Sequence, residues 1–384
     1  MTKLEELIQK LCPNGVEHKP LNEVSEMKRG TSITKKDIVE GEIPVVSGGR
    51  EPAYYCDKYN RDGETITVAG SGAGAGYVQY WTKPIFVCDA FSIQGNPGIQ
   101  TKYIYYFLTN IQDYIYSTKK GGGVPHVHIS SIENVSVPVP PLPVQREIVR
   151  ILDNFTELTA ELTAELTAEL TARKQQYAYY RDKLLSTNNS SVPVVELRDI
   201  VKKSCSGATP AKGNAEYYEN GTIPWIRTQD VRFNEITEVN SYITEKAVSE
   251  TATKWIPENC VIVAISGATA GRCAINKIKA TTNQHCLNLI IDDSMALYRY
   301  VFHCLCSKYE ELISRKQGAR GDLNSSLILS LPIPIQSLEV QKRLVEVLDN
   351  FDAICSDLKI GLPAEIEARQ KQYEYYRDKL LTFT

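Results

Sequence analysis

The feature that most constrains the fold is an internal repeat. The segment VQREIVRILDNF at residues 144–155 recurs as VQKRLVEVLDNF at residues 340–351, an offset of 196 residues. The segment RKQQYAYYRDKLL at residues 173–185 recurs as RQKQYEYYRDKLL at residues 369–381, with the same offset of 196. Two separate blocks that keep one offset indicate a duplicated chain, so the fold must accommodate two equivalent halves.

The sequence between these blocks diverges but keeps landmarks. The glycine-rich stretch SGAGAG at residues 71–76 is echoed by SGATAG at residues 266–271. Ile-Pro-Val at residues 43–45 is echoed by Ile-Pro-Trp at residues 223–225. Each half therefore consists of a variable globular part followed by a nearly identical helical part.

The first helical part is long and continuous in its composition. About 44 residues from 143 to 186 contain no glycine and are rich in good helix formers, which would make a helix of roughly 66 Å. Three Thr-Ala-Glu-Leu repeats at residues 159–170 place leucines four residues apart, and such a stripe drifts about 40° per repeat around a straight helix. A lone helix of this length is unstable, so we expect antiparallel pairing with the second copy, which Gly361 and Pro363 should kink or break.

The globular parts combine short β-type runs with turns, and each then continues into a helical stretch. This pattern predicts an α/β (α+β) fold with largely antiparallel sheets. The β-type runs lie at residues 64–69, 77–81, 84–88, 261–265 and 286–291, and the helical stretches at residues 102–118 and 296–316.

The predicted architecture has two α/β domains separated by two long antiparallel coiled-coil helices, related by a pseudo-twofold internal repeat. The boundaries are 1–140 for the first domain with its short N-terminal helix, 141–187 for the first helix, 188–336 for the second domain and 337–384 for the second helix. We expect the N-terminal helix to complete the second helical part, so that the two termini lie close together.

Composition excludes several classes of protein. The chain has 384 residues, which suits two domains with connecting structure. No run of eighteen apolar residues predicts a membrane span, and the acidic start of the chain is unlike a signal peptide. Ten cysteines without a Cys-x-x-Cys pair predict reduced thiols in a cytoplasmic protein. A net charge of −3 neither indicates nor excludes DNA binding, because DNA responds to where charge lies.

One glycine-rich motif nominally suggests a cofactor. Gly70 to Ala75 fits the pattern Gly-x-Gly-x-x-Ala that is typical of dinucleotide or S-adenosylmethionine loops. A cofactor loop must open a helix, whereas the β-rich residues 77–81 follow here and Pro84 ends them. We therefore predict a glycine-rich hairpin or loop, whose backbone could approach a phosphate.

Other catalytic and metal motifs are missing or incomplete. The chain has neither a Gly-x-x-x-x-Gly-Lys-Ser/Thr phosphate loop nor the Asp/Asn-Pro-Pro-Tyr/Phe tetrapeptide of amino-methyltransferases, so we expect no catalysis by this chain alone. His126 and His128 could lie on one strand face, but a metal needs more ligands and the second half has Asp322 and Asn324 there. These side chains are predicted to face solvent or DNA bases, and no metal site is expected.

The helical motifs resemble those of the type I restriction-modification specificity subunit family. The resemblance rests on Pro-x-x-x-Gln at residues 141–145, on Gln-Tyr-x-Tyr-Tyr-Arg-Asp-Lys-Leu-Leu after each helical part, and on the Thr-Ala-Glu-Leu repeats. It covers essentially the whole chain, with highly specific helical motifs and weak matches in the globular parts. It implies two target-recognition domains alternating with two conserved helical regions.

The resemblance also implies a function without catalysis. Each target-recognition domain would bind one half of a bipartite double-stranded DNA sequence, and the helices would set the spacing. The partners implied are two adenine methyltransferase (modification) subunits and ATP-driven restriction/translocase subunits, with no membrane. S-adenosylmethionine, ATP and Mg²⁺ would belong to those partners and none to this chain. The alternatives are a target-recognition subunit of another restriction-modification type and a coiled-coil assembly protein that binds no DNA.

Candidate DNA contacts are basic and amide residues in the globular parts. Arginine and glutamine can read base edges with two hydrogen bonds, while lysine more often meets phosphate. The stretches from Lys119 and from Arg315 are preferred, because both occupy the same repeat position on glycine-containing loops. The candidates are Lys28, Arg29, Lys35, Lys36, Arg50, Lys119 and Lys120 in the first half, and Lys202, Lys203, Lys212, Arg227, Gln229, Arg232, Arg272, Arg315, Lys316 and Arg320 in the second.

Two tyrosine clusters end the helical parts, and they do not follow one helical stripe. Packing between the two helices would explain them, and so would a docking face for the methyltransferase, since both clusters are kept while the globular parts vary. Both interpretations remain open from the sequence. The clusters are Tyr177, Tyr179 and Tyr180, and Tyr373, Tyr375 and Tyr376.

Overall fold

The protein is described by a computed structural model over residues 2–33, 39–186, 191–316, 322–356 and 361–383. The chain divides into two compact units. The first unit comprises Met1–Thr167 with Glu365–Thr384, and the second comprises Ala168–Ala364. Each unit thus contains one globular part together with helical segments from both copies of the repeat.

The globular part of the first unit is sheet-rich. Its sheets have the strand orders β2-β8-β5-β6, β4-β3-β7 and β1-β9, and of these pairings only β3 with β7 is parallel. The elements are α1 (Lys3–Leu11), β1 (His18–Pro20), α2 (Leu21–Val24), β2 (Ser25–Arg29), β3 (Ile43–Val46), β4 (Tyr54–Cys56), β5 (Thr65–Ala69), β6 (Val78–Trp81), β7 (Phe86–Val87), β8 (Ala90–Gly95), α3 (Thr101–Asn110), α4 (Gln112–Ser117) and β9 (Ser136–Pro138).

The helical segments come next in the chain and again at its end. Helix α5 (Leu142–Leu184) is a continuous helix of 43 residues, as the sequence predicts. The second copy is divided into α10 (Leu338–Ser356) and α11 (Leu362–Thr382), in agreement with the break expected near Gly361 and Pro363.

The second globular part repeats this plan with more strands. Its sheets have the orders β11-β19-β16-β17-β13, β14-β12-β18-β15 and β10-β20, with β12–β18 and β13–β17 as parallel pairs. The elements are β10 (Val194–Glu196), β11 (Val201–Ser206), β12 (Ile223–Ile226), β13 (Glu235–Ile236), β14 (Tyr242–Ile243), α6 (Glu245–Glu250), β15 (Trp255–Ile256), β16 (Val261–Ala264), β17 (Cys273–Asn276), β18 (Ala280–Thr282), β19 (Cys286–Ile291), α7 (Tyr298–Ser307), α8 (Tyr309–Ser314), α9 (Ser325–Leu329) and β20 (Pro332–Pro334).

Antiparallel helix pairing is present within each unit. In the first unit the ring of Phe155 lies 5.9 Å from that of Tyr376, and the Thr156 Oγ1 lies 3.0 Å from the Tyr373 Oη. Residue numbers therefore increase along α5 as they decrease along α11. In the second unit the ring of Tyr180 lies 6.5 Å from that of Phe351 on α10. The first copy of each repeated block therefore packs against the second copy of the other block.

The leucine stripe of the Thr-Ala-Glu-Leu repeats is not buried evenly. Leu166 is buried, Leu162 and Leu170 are half-buried, and Leu158 is 58% exposed. A spacing of four residues drifts around a straight helix, so one face cannot bury every leucine of the stripe.

The core of the first unit joins both ends of the chain. β5 consists largely of β-branched residues and is buried along its whole length, as in a central strand. Leu4 of α1 and Leu381 of α11 belong to the same hydrophobic cluster as Ile66 and Ile104. This confirms the prediction that the N-terminal helix completes the second helical part.

The glycine-rich segments are hairpin turns. β5 pairs antiparallel with β6, and β16 with β17, so each segment connects two strands and opens no cofactor-type helix. Gly76 has a φ of +85° and Gly271 a φ of +92°, a region that residues with a side chain rarely adopt. The prediction of a glycine-rich hairpin is confirmed.

A buried glutamine fixes the start of each conserved helical segment. In the first unit the Gln100 N–H donates to the Gln145 Oε1 at 2.8 Å, and the Gln145 Nε2 donates to the carbonyl of Pro140 at 2.8 Å. In the second unit the Leu297 N–H donates to the Gln341 Oε1 at 2.9 Å. Because both side chains are almost fully buried, these bonds satisfy backbone groups that water cannot reach.

None of the helices within the described ranges combines the length and the apolar character needed to cross a membrane.

Candidate nucleic-acid interface

Two loops lie side by side in the first unit. Lys120 and His126 pair through both backbone hydrogen bonds, at 2.9 and 2.8 Å, and so close a loop that contains three glycines. The Gly72 N–H donates to the carbonyl of Pro125 at 3.0 Å, which joins the glycine-rich hairpin to this loop. The sequence did not predict this contact, because it links segments about fifty residues apart.

The two histidines of the first unit face one cleft. The rings of His126 and His128 are stacked, with centroids 6.0 Å apart and an interplanar angle of 3°. The cleft of about 320 Å³ is also lined by Arg29 and Asp89, whose carboxylate accepts a hydrogen bond from the Ser71 hydroxyl. Within the described part of the chain, no group of three or more His, Cys, Asp or Glu side chains could hold a metal ion.

The other candidate cations of the first unit differ in how they are held. The Lys28 Nζ lies 2.7 Å from the Glu26 carboxylate on the same strand. The Arg50 guanidinium lies 5.0 Å above the Tyr77 ring, and the Lys119 ammonium 4.3 Å above the Tyr116 ring. Lys120 is exposed. The remaining candidates, Lys35 and Lys36, lie outside the described residues.

The second unit has a larger cleft at its second sheet. Because β12 pairs in parallel with β18, residues of strands more than fifty positions apart meet at this cleft of about 580 Å³. The side chains that line it, among the described residues, are polar, basic or aromatic, and none is a carboxylate. They are Thr209, Lys212, Tyr218, Trp225, Arg227, Asn240, Ser241, Tyr242, Asn283, Gln284 and His285.

Only Lys212 and Arg227 of that cleft were candidates from the sequence. Sequence reasoning missed Trp225, Asn283 and Gln284, because a parallel strand pair leaves no local pattern that names its partner. The one available signal was the Ile-Pro-Trp landmark that ends at Trp225.

Other candidates of the second unit lie apart from this cleft. The Arg232 Nε donates to the carbonyl of Gln229 at 2.6 Å, which ties both residues into one turn. Lys202 and Lys203 are exposed on β11. The Arg272 Nε is shielded from solvent and has no hydrogen-bond partner among the described residues.

The stretch that begins at Arg315 is only partly described. Arg315 forms an ion pair with Glu311 one turn earlier, which engages its guanidinium within the protein. Lys316 follows it and is half-buried. Arg320 lies outside the described residues.

Burial divides the tyrosine clusters. Tyr177 packs into the second unit with its Oη 3.3 Å from the His303 Nδ1, and burial raises its pKa. Tyr373 is half-buried beside Thr156. Tyr179 and Tyr375 are each 61% exposed, and Tyr180 and Tyr376 are 42% and 41% exposed. The exposed tyrosines of each cluster, here called the outer ones, occupy equivalent positions in the two units, and of these Tyr180 and Tyr376 also contact Phe351 and Phe155 of the paired helix.

Comparison with known proteins agrees with this architecture. The family described as "Type I restriction modification DNA specificity domain" matches residues 13–172 and 189–368. The chain is 38% identical over 295 residues to the specificity subunit of the type I restriction enzyme EcoR124I/EcoR124II of Escherichia coli, covering 73% of this chain and 70% of that relative.

Solved structures share the fold at low sequence identity. A chain described under "Structural basis underlying complex assembly and conformational transition of the type I R-M system" matches with a TM-score of 0.73 and 17% identity, covering 96% of this chain and 98% of that one. The HsdS subunit from Thermoanaerobacter tengcongensis matches with a TM-score of 0.57 and 17% identity, covering 96% and 97%. Since the family match spans most of its length, the chain belongs to the family of type I restriction-modification specificity subunits.

Proposed function

We propose that this chain is the DNA sequence-specificity subunit of a type I restriction-modification complex, in which each globular part binds one half of a bipartite target. The observation that carries the proposal is that the two halves share one framework of buried hydrogen bonds, here called the frame, but contain two different clefts. Gln145 and Gln341 make the same buried bonds in the two halves, while the clefts beside His126 and Arg227 have different linings. A shared frame with divergent clefts suits two readers of different half-sites.

The proposed partners follow from the family. Specificity subunits of type I systems are non-catalytic, and catalysis lies on their partner subunits. For this chain we propose double-stranded DNA, two methyltransferase subunits and restriction/translocase subunits as partners. S-adenosylmethionine, ATP and Mg²⁺ then belong to those partners. The glycine-rich hairpin is followed by β6, so it does not open a helix as a cofactor loop does.

The proposed domain boundaries keep the sequence divisions. Residues 1–140 and 188–336 form the two target-recognition domains, and residues 141–187 and 337–384 form the helical spacer. The elements agree with these limits, since α5 begins at Leu142 and α10 at Leu338. The candidate DNA contacts fall within the two domains.

The outer tyrosines are proposed as docking sites for the methyltransferase subunits. Tyr179 and Tyr375 have equal exposure, and so nearly do Tyr180 and Tyr376. Two equivalent aromatic surfaces suit two copies of one partner, because tyrosine supplies a large contact area at low conformational cost.

An exchange of one domain tests the proposed function. Residues 192–335 are replaced by the matching segment of a relative with a different target, and the chain is expressed with its own modification subunits. We expect methylome sequencing to show a change in one half of the methylated sequence. The reciprocal exchange within residues 13–140 is the matched control and should change the other half. A change in both halves from either exchange contradicts independent reading.

A further inference from the structure

The side chain of Arg227, in the cleft of the second unit, donates no hydrogen bond to the residues that the structure describes and forms no ion pair with them. Its Nε is shielded from solvent and donates to none of the described residues, and its terminal nitrogens form no ion pair within the described ranges. Arg61 of the first unit is the opposite case, because its nitrogens donate to Ser92, to the carbonyl of Asn60 and to the carbonyl of Arg29. Arg61 is structural, whereas the guanidinium of Arg227 is left for a ligand.

The surroundings hold Arg227 in place from two sides. Its backbone N–H donates to the Asp230 carboxylate at 2.8 Å, which fixes the turn that follows β12. Its guanidinium carbon lies 5.8 Å from the centre of the Trp225 ring. That ring is itself held, since the Trp225 Nε1 donates to the carbonyl of Ala208 at 3.2 Å. A guanidinium held by an aromatic ring loses less freedom when it binds.

Several other polar groups of the cleft are already engaged. The Gln284 Oε1 accepts from the Thr209 hydroxyl, and the Gln284 Nε2 lies 3.2 Å from the His285 Nε2. Lys212 is exposed and forms no ion pair with the described residues. The cleft therefore offers a held arginine fork and an exposed lysine, and its described lining contains no carboxylate.

We propose that Arg227 is a specificity-determining residue that reads a guanine in the half-site bound by the second unit, and that Lys212 contacts a nearby phosphate. The inference rests on the proposed function and names the base that this cleft recognises. Guanine presents two acceptors, O6 and N7, in the major groove, and the planar fork of arginine matches both. The flexible ammonium of lysine suits a phosphate, which carries no sequence information.

Chemical substitution of the DNA tests this assignment. The complex with its modification subunits methylates duplexes in which each guanine of that half-site is replaced, one at a time, by 7-deazaguanine, which lacks the N7 acceptor. For the wild-type complex we expect a loss of about 10- to 100-fold at one guanine. Arg227→Ala should show a comparable loss on the unmodified duplex and no further loss at that guanine. Arg227→Lys should not restore the discrimination.

Three matched variants separate the outcomes. Lys212→Ala should weaken methylation of all sequences equally and reduce its salt dependence. Arg198→Ala removes an arginine of the second unit that is paired with Glu196 and is not among the candidate contacts, so it should change little. Arg272→Ala tests the other arginine with an unpartnered Nε. Retained discrimination at the other positions of the second half-site serves as the internal check that the second unit of each variant is folded.

The assignment is overturned if no guanine of that half-site is sensitive in the wild-type complex, whether or not any variant folds. It is also overturned if the sensitivity survives in Arg227→Ala or is removed by Arg272→Ala instead. Failure of the proposed function looks different, because the wild-type complex would then methylate with no sequence preference at all.

Discussion

The two halves of the molecule keep the same acceptor at one half-buried position but supply it with different donors. In the first half the Asp153 carboxylate accepts from the Lys102 Nζ at 2.8 Å and from the Tyr106 Oη at 2.6 Å. In the second half Asp349 accepts from the His303 Nε2 at 2.7 Å and from Arg299. The duplication has thus kept the carboxylate that ties each helical segment to its globular part, while its partners diverged.

The clefts differ more deeply than the frame. Trp225 and Arg227 of the second half correspond to Val45 and Ser47 of the first, by alignment of the Ile-Pro landmarks. In the first half a side chain at Gly48, the residue after Ser47, would collide with the carbonyl oxygen of Ser71. The two halves therefore differ in the side chains at this position, an arginine in one and a serine in the other, while the frame is kept.

The largest expected effect comes from a feature that only the first half has, the Thr-Ala-Glu-Leu repeats of α5. Deletion of residues 163–166 removes one repeat, about 6 Å of rise and about 40° of rotation. B-DNA turns roughly 35° and advances roughly 3.4 Å per base pair. We expect methylome sequencing to show the original sites lost and the gap between unchanged half-sites shortened by about one base pair.

A variant with four alanines in place of residues 163–166 is the control for this deletion, because it keeps the length and should keep the gap. A gap that stays constant in the deletion would show that the repeats are no ruler. Altered half-sites would show that the helix also positions base-reading loops.

Because the frame is shared, equivalent substitutions in the two halves should lower the stability of the two units equally. Gln341→Leu leaves the Leu297 N–H and the carbonyls of Met295 and Gln336 without a partner, which should destabilise the second unit by about 3 kcal/mol. Gln145→Leu should cost the first unit a similar amount. Hydrogen exchange of α3 and α7 measures each unit separately, since a two-unit chain need not unfold in one step. A loss confined to one half would break the equivalence.

Because the hydrogen-bond donors differ between the halves, removing the charge of the shared carboxylate should lower the stability of the two units unequally. Asp349→Asn should cost about 2 kcal/mol, because it weakens the bonds of the buried His303 and of Arg299. Asp153→Asn should cost about 1 kcal/mol, since its partner Lys102 is more solvated than His303. The same exchange measurement compares them. Equal losses would mean that the choice of donor does not matter to the frame.

The smallest expected effect is on the stability of the first unit at acidic pH. Hydrogen bonds from Arg150 and Lys3 lower the pKa of Glu147 to about 2, whereas Arg343 occupies the same position in the second half. Because folding lowers this pKa, the ionised carboxylate stabilises the first unit at pH values above the ordinary pKa of a glutamate. That stabilisation is lost as the pH falls toward 2.

Glu147→Gln should therefore flatten the acid dependence of the first unit alone. The measurement is hydrogen exchange of α1 and α3 between pH 3 and pH 6, corrected for the intrinsic exchange rate. Peptides from α7 supply the control, and an equal change there would contradict the assignment.

The sequence alone determined the duplication, the long first helix and the break in the second. Each of these depends on local patterns: a fixed offset, a run of helix formers, and Gly361 with Pro363. The sequence also predicted that the N-terminal helix completes the second helical part, and Leu4 and Leu381 lie in one hydrophobic cluster. The family resemblance rested on the same helical motifs.

Only the tertiary structure decided which candidate residues lie together. Arg227 and Gln284 share a cleft because β12 and β18 pair in parallel, and such pairing depends on packing between distant segments. Tyr177 and Tyr179 are two residues apart, yet one is half-buried and the other exposed, because successive helical side chains point about 100° apart. Charge in a sequence predicts a binding surface only loosely, since neighbours in the fold decide whether a cation is paired, as for Arg61 and Arg315, or makes no hydrogen bond with the described residues, as for the Nε of Arg227.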